Sequence, residues 1–487
     1  MKVQLVIYFI ISSAIAHSQT VLSMDEAVHE RVFSTKVVRI QMLSLEKAML
    51  EYEVYKKSQL PLVSLNLNPV SFLHSLKLMQ SYDTGSYSNV EEYSNTSGGD
   101  ILLTQTICST GGTLSLGSGI NLLHEFSTKS NNFSSVPFYL KYSQDLFGGR
   151  KGYRLQGKVA KLRQQSALRH YCSSVAAEQL NILNLYLAAI AAQEKRSFCK
   201  IAVKTDSMLV NYAKHRLNLG KMTKYEYNEV ELQLLDNKLE LENGEMEYGE
   251  AIRLLEEELQ LRGILLDELH VDALPRFIEE NLVKSIVQKN SEQKLAHELN
   301  AVSMEYELHE AKKKNRFNGK VSFTYGLNQY GKNLRAAYFC PNQWLALSIS
   351  MTVPIFQHGI GRSRMRMART DLESAMLEKE VGDSEIETQV HSQVFAYNRN
   401  MRLFEFTQRK YELSSQQYDL ARAEFMVGKM TATELKVSYE NCLRYKQDVL
   451  SCLCSLYEAY YKIRHLALYD FVKNKELVDL FLIPTIQ

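Results

Sequence analysis

Two periodicities divide this chain. Apolar and polar residues alternate in four short segments. They are Val63/Leu65/Leu67 with Ser64/Asn66/Asn68, and Phe138/Leu140/Tyr142 with Tyr139/Lys141/Ser143. Further on come Val321/Phe323/Tyr325/Leu327 with Ser322/Thr324/Gly326/Asn328, then Leu345/Leu347/Ile349/Met351/Val353 with Ala346/Ser348/Ser350/Thr352. Period two with small polar residues on one face predicts β-strands, and is the pattern of transmembrane barrel strands of about 9–11 residues. A half-buried soluble sheet gives the same alternation. Trp344 and Tyr338 would suit an interfacial aromatic girdle. The first two segments are separated by a Ser/Asn/Gly-rich insertion, 76–133. Within it, Ile101–Ile107 and Thr113–Leu122 could pair about Ser109-Thr110-Gly111-Gly112, either as further membrane strands or as a surface hairpin.

Elsewhere the apolar spacing is three to four. Leu180/Leu183/Leu187/Ile190, Leu232/Leu235/Leu239, Ile252/Leu255/Leu259 and Val394/Tyr397/Met401/Phe404 each mark a coiled-coil seam. The prolines stand at 61, 69, 137, 275, 341, 354 and 484, which leaves 138–274 and 355–483 free of the residue that breaks helices. The pattern predicts one uninterrupted helix from Arg150 to Leu219 and another from Arg362 to Val427, each roughly 100 Å long. Shorter helices are expected at about 222–262 and 430–468, after the long ones, and at 23–57 and 279–314, before the strands. A return helix and a pre-strand helix together match one long helix in length.

The two halves share their punctuation. Gly220-Lys221-Met222-Thr223 returns as Gly428-Lys429-Met430-Thr431, each time between long helical stretches and each time with an acid, Glu226 or Glu434, six residues after the glycine. Upstream, Phe147-Gly148-Gly149-Arg150 is matched by Phe356 to Arg362. The chain reads as a duplicated unit: a first repeat over 19–262, a linker over 263–278, a second repeat over 279–469 and a terminal segment over 470–487.

Composition bounds the class. The formal net charge of +2 gives no basic surface for nucleic acid and no acidic excess for disorder. Lys2, an apolar run from Val3 to Ile11 and the small-residue stretch ending Ala14-Ile15-Ala16 form the three regions of a secretory signal peptide, 1–18. No run of about 18 apolar residues follows, so no helical membrane span is expected. The seven cysteines are an odd count whose spacing gives no disulfide framework, and they read as small packing residues. Two strand pairs cannot close a transmembrane barrel, whose minimum is about eight strands. Open edges are forbidden in lipid, so several chains must pool their strands.

These residues resemble the TolC-type outer-membrane efflux protein family. The resemblance is carried by Leu22-Ser23-Met24-Asp25-Glu26-Ala27-Val28, by Asp145-Leu146-Phe147-Gly148-Gly149 and Val353-Pro354-Ile355-Phe356, and by both glycine tips. It implies an α+β fold dominated by long α-helices: a homotrimer with a shared 12-stranded outer-membrane barrel, a long periplasmic α-barrel and an equatorial belt. It also implies two partners, a periplasmic adaptor and an inner-membrane transporter. Adaptor binding carries over to Leu219, Gly220, Lys221 and Met222, and to Val427, Gly428, Lys429 and Met430. The family's aperture acids match Glu226 and Glu434, while its aromatic–arginine lock falls on Phe425 and Met430, so apolar closure would replace that lock. A further family acid is Val437 here.

The implied function is passive conduction of substrates from the transporter to the exterior. An exported coiled-coil spacer of the envelope would explain the long helices but neither the alternating strands nor the paired tips. For an enzyme, the chain offers no His-Glu-x-x-His, Walker A or Gly-x-Ser-x-Gly motif, and no cofactor is implied. His297-Glu298 and His309-Glu310 lack a second spaced ligand.

Overall fold

The computed structural model describes residues 20–486 except 81–82, 84, 127, 268–273, 316, 354, 427–428 and 431. The expected signal peptide, 1–18, therefore lies outside the described residues, as do Val427 and Gly428. In chain order, a short strand β1 (Thr20–Leu22) leads through helical turns at Glu26–Ser34 to helix α1 (Lys36–Lys57). Four strands follow: β2 (Leu62–Gln80), β3 (Tyr87–Ile107), β4 (Gly112–Glu125) and β5 (Ser130–Asp145). Then come α2 (Gly149–Asn218), α3 (Lys224–Leu259), β6 (Ile264–Leu266), α4 (Glu280–Asn290) and α5 (Glu292–Asn315). Strand β7 (Asn318–Gly331), the short α6 (Leu334–Tyr338) and β8 (Asn342–Thr352) lead into α7 (Ile360–Met426) and α8 (Ala432–Ala467). The chain ends with β9 (Tyr469–Asp470), β10 (Lys475–Glu476) and α9 (Leu477–Ile486).

The long helices match their expectation: α2 has 70 residues and α7 has 67. The pre-strand helices do not run unbroken. The first breaks at Thr35 and the second at Ser291, both buried. Thr35 Oγ1 accepts from Val38 N–H at 3.4 Å, and Ser291 Oγ accepts from Lys294 N–H at 3.3 Å. A hydroxyl that caps the next turn competes with the helix it interrupts.

Two compact units form. One, Lys47–Gln165 with Ala296–Glu380, holds a six-stranded antiparallel sheet in the order β2-β3-β4-β5-β7-β8. The insertion 76–133 is thus part of the sheet. It supplies β3 and β4 between β2 and β5, so the chain carries six strands where alternation had located four. The twelve-stranded trimeric barrel that the resemblance implies corresponds to four strands per chain. Register shifts fall at Asn68/Ser71 in β2 and at Ser135/Phe138 in β5, which places Pro69 and Pro137 in bulges. A proline lacks the N–H that a ladder needs, and a bulge is where that lack is tolerated.

The other unit runs to Glu46, then over Ser166–Leu295 and from Val381 on. Its core is one apolar cluster including Val28, Ile182, Leu183, Tyr186, Leu255, Val390, Tyr397, Leu456 and Ile463. Strands β1 and β6 pair in parallel, and Tyr186 Oη donates to Leu22 O at 3.1 Å. Arg464, 2% exposed, donates Nε–H to Asp470 Oδ2 at 3.1 Å, and its guanidinium also bonds Gln179. Tyr460 Oη donates to Asp470 Oδ1 at 3.0 Å. Burial alone would raise the Asp470 carboxyl's pKa. The Lys473 N–H, the Arg464 charge, the Tyr460 hydroxyl and the Val472 N–H outweigh it and hold the group below the usual carboxylate range.

Two expectations need correcting here. The seam Leu232/Leu235/Leu239 is not packed within the chain: all three residues are exposed. Helix α2, moreover, contains a window long and apolar enough to cross a membrane by composition, although no unbroken apolar run was found. That window is 61% buried, and a core helix packed on several sides carries such a composition without meeting lipid.

Candidate functional site

The sheet is two-faced. Cross-strand partners share a face, so the register extends the alternation of each strand across all six. From β8, Leu347 pairs with Phe323 and Leu345 with Tyr325. Those two pair with Tyr142 and Leu140 of β5, which pair in turn with Leu114 and Leu116 of β4. Leu116 pairs with Leu103 of β3, and Leu103 with Val63 of β2. One apolar row therefore crosses β3 and β4 through Leu103 and Leu116, while the rows beside it carry Gln105 opposite Leu114 and Ser118 opposite Ile101. Central members such as Ile101, 54% exposed, meet no cover.

The opposite face is polar and self-bonded. Asn66 Nδ2 donates to Asp100 Oδ2 at 3.0 Å, and Ser143 and Ser322 hydroxyls meet at 3.2 Å. Trp344 belongs to this face rather than to an aromatic girdle, since it pairs with Gly326 and alternates with Ala346 and Ser348. Bulk on this face is matched by glycine: a Cβ on Gly117 would lie 2.4 Å from the Tyr139 ring. On the apolar face, aromatics gather instead at Phe72, Tyr93 and Phe126, with centroids 5.4 Å (Phe72–Tyr93) and 4.5 Å (Tyr93–Phe126) apart.

At the first helical tip, Gly220 has φ +68°. Gly220 N–H donates to Leu217 O at 2.9 Å and Lys221 N–H to Arg216 O at 2.9 Å, the paired bonds of a Schellman motif. At the second tip Lys429 N–H donates to Glu424 O at 3.0 Å, the same long closure. Leu219 is 70% exposed, Lys221 and Lys429 are exposed, and Met222 and Met430 are half-buried.

Glu226 and Glu434 are each the third residue of the outgoing helix, three after Thr223 and Thr431. Thr-x-x-Glu at a helix start is the spacing of a capping box, in which threonine and glutamate cap each other's backbone N–H groups. Glu434 is exposed, and the side chains of Glu226 and Phe425 lie outside what is described. The two tips are separate turns, each built between its own pair of helices.

Solved structures share this arrangement. A membrane protein from Pseudomonas aeruginosa superposes over 92% of this chain and 91% of its own, with TM-score 0.63 and 13% identity. The outer-membrane protein VceC from Vibrio cholerae does so over 91% and 95%, with TM-score 0.63 and 12% identity. For the CmeC outer-membrane channel of Campylobacter jejuni the figures are 96% and 94%, 0.62 and 12%. This chain has the outer-membrane-channel fold. By sequence, no protein-family model and no curated protein matches it.

Within the channel fold, two apolar stripes lie open on the helices of one chain. Phe406, Leu413 and Leu420 of α7 are exposed at heptad spacing, as are Leu232, Leu239 and Met246 of α3. Heptad stripes are seams, and a seam needs a second helix.

A carboxyl pair, missed in the sequence, bridges α2 and α3. Glu178, 7% exposed, faces the Glu258 carboxyl. Its pKa is pushed up to about 7, by burial first and by the neighbouring carboxyl second. His29, nearby in sequence to none of these, is half-buried beside Tyr461 and Arg464. Burial and then the Arg464 charge lower its pKa to about 4. Neither is signalled by any motif, since both depend on which helices pack together.

Proposed function

We infer that this protein is the outer-membrane exit duct of a tripartite efflux or type I secretion system. Three copies pool their strands into a closed transmembrane barrel and their long helices into a periplasmic tube. The duct passes substrates delivered by an inner-membrane transporter through a periplasmic adaptor, without covalent chemistry or an energy source of its own. The observation that carries this reading is the six-stranded sheet with one mainly apolar face, one polar face and two edges that are unpaired among the described residues. Lipid accepts the first face and water the second, and only closure with other copies satisfies the edges.

The open seams on α3 and α7 support the same assembly. The tips are its docking ends: Leu219, Gly220, Lys221 and Met222, with Val427, Gly428, Lys429 and Met430, meet the adaptor's helical hairpin. Exposed helix-end backbone and an exposed leucine suit such a contact. Phe425 and Met430 narrow the aperture, and Glu226 and Glu434 ring it with negative charge that favours cations. Secretion through a cleaved signal peptide and residence in the outer membrane of a Gram-negative bacterium complete the reading.

Planar bilayers test it. Purified protein should insert and give discrete ohmic conductance steps without nucleotide, and resist carbonate extraction from membranes. Release by carbonate with no conductance would contradict the duct and favour the envelope spacer.

A further inference from the structure

Six strands per chain change the size of the channel wall. We propose that the β3–β4 hairpin is part of that wall, so that three chains close an 18-stranded barrel in which β2 of one copy pairs with β8 of the next. The proposal rests on the three-chain duct and adds its bore.

Four observations place the hairpin in the wall. Strand β3 is paired to β2 from Tyr87 to Thr104 and to β4 from Ser94 to Ile107, and β4 to β5, so the hairpin interrupts the sheet rather than decorating its edge. The mainly apolar face passes over it through Leu103 opposite Leu116, with Ile101 and Ile120 beside them and Gln105 and Ser118 as its polar members, while Thr104 and Ser115 continue the polar face. The turn at 108–111 is short and tied down at the helix end. Gln144 Nε2 donates to Thr110 O at 3.0 Å, and the Gly111 Cβ position lies 2.8 Å from Gly149 O. Strand direction also fits. All five pairings in the sheet are antiparallel, so the outer strands β2 and β8 run in opposite senses. A neighbour's β8 can therefore continue β2 with the alternation unbroken, and closure leaves no edge in lipid.

Strands about 4.8 Å apart and tilted by about 40° give a backbone diameter of about 36 Å for eighteen and about 24 Å for twelve. Eighteen-stranded walls leave an aqueous lumen. Here that lumen is lined chiefly by hydroxyl, amide and glycine positions, so the wall excludes cargo less than the tips do.

The test is cryo-electron microscopy of the full-length protein, purified from membranes in lipid nanodiscs. An eighteen-stranded wall containing β3 and β4 is expected. A closed three-chain wall of any other count, with the hairpin outside it, overturns this proposal and leaves the duct standing. Particles with no closed wall overturn the duct reading, and this one with it. A second measurement does not depend on imaging. With the exposed Cys108 and Cys340 replaced, Leu116→Cys should carry a dye quenched by nitroxide lipids, and Ser115→Cys should react with a membrane-impermeant maleimide. Equal aqueous reactivity at both positions would overturn the proposal.

Discussion

Trp344 lies across the strand from Gly326, where a Cβ would come within 2.6 Å of the indole Nε1 and 2.9 Å of Tyr139 Cβ. The slot is full, and it belongs to the polar face. Gly326→Val must push aside an aromatic wedged between neighbouring strands. We expect a loss of about 1–3 kcal/mol, the usual cost of overpacking, read as a lower thermal midpoint of the purified assembly. Trp344→Ala in the same background should recover part of it, because the clash with the indole is then gone while that with Tyr139 remains.

Gly220 offers the opposite case. Nothing lies within 4 Å of its Cβ position, so its constraint is the backbone angle alone. Gly220→Ala should cost about 1 kcal/mol through the left-handed conformation, leave assembly intact and weaken adaptor capture. Gly220→Asn, which tolerates that conformation better, should be milder on both counts. Equal loss of capture with Asn and Ala would point to the missing glycine surface instead of the turn.

The α7 stripe predicts how the chain associates. Leu413→Asp places a charge in a seam that finds no partner within one chain. Light scattering in detergent should show a fall from trimer to monomer, with helical content retained. An unchanged trimer would mean that the stripe faces solvent or lumen.

Glu178 and His29 oppose each other with pH. The Glu178 pKa is raised to about 7 in the folded protein, so the folded state binds the extra proton and stability falls as pH rises from about 4.5 to 7. The His29 pKa is lowered to about 4, so the unfolded state binds the extra proton and stability rises between about 4 and 6.5. Each slope is at most about 1.4 kcal/mol per pH unit, and in wild type they largely cancel. Glu178→Gln should therefore make stability climb with pH across that window, and His29→Gln should make it fall. Thermal midpoints measured from pH 4 to 7.5 distinguish the two.

Much of this fold is written in the sequence, and the exceptions have physical causes. The long helices were legible because proline is absent from 138–274 and 355–483. Their breaks at Thr35 and Ser291 were not, since one capping hydroxyl outweighs a favourable window only where it is buried. Strands β3 and β4 stayed ambiguous because Gly98, Gly99, Gly117 and Gly119 dilute their alternation. Their face becomes clear only when Leu103 and Leu116 are seen opposite each other. Trp344 was misplaced for a different reason: residue type suggested a girdle, whereas its parity with Ala346 and Ser348 already put it on the polar face. The tips were found by their repetition. Their acids were read as aperture charges from the resemblance, although Thr223 to Glu226 has the spacing of a helix cap.

The central claim is that several copies close one tube. Electron microscopy of the purified full-length protein in detergent measures this most directly, through particle symmetry and length. The account predicts a three-fold tube, longer than the roughly 105 Å of helix α2 and closed by a strand barrel at one end. Monomers, or two-stranded rods without a barrel, would contradict it.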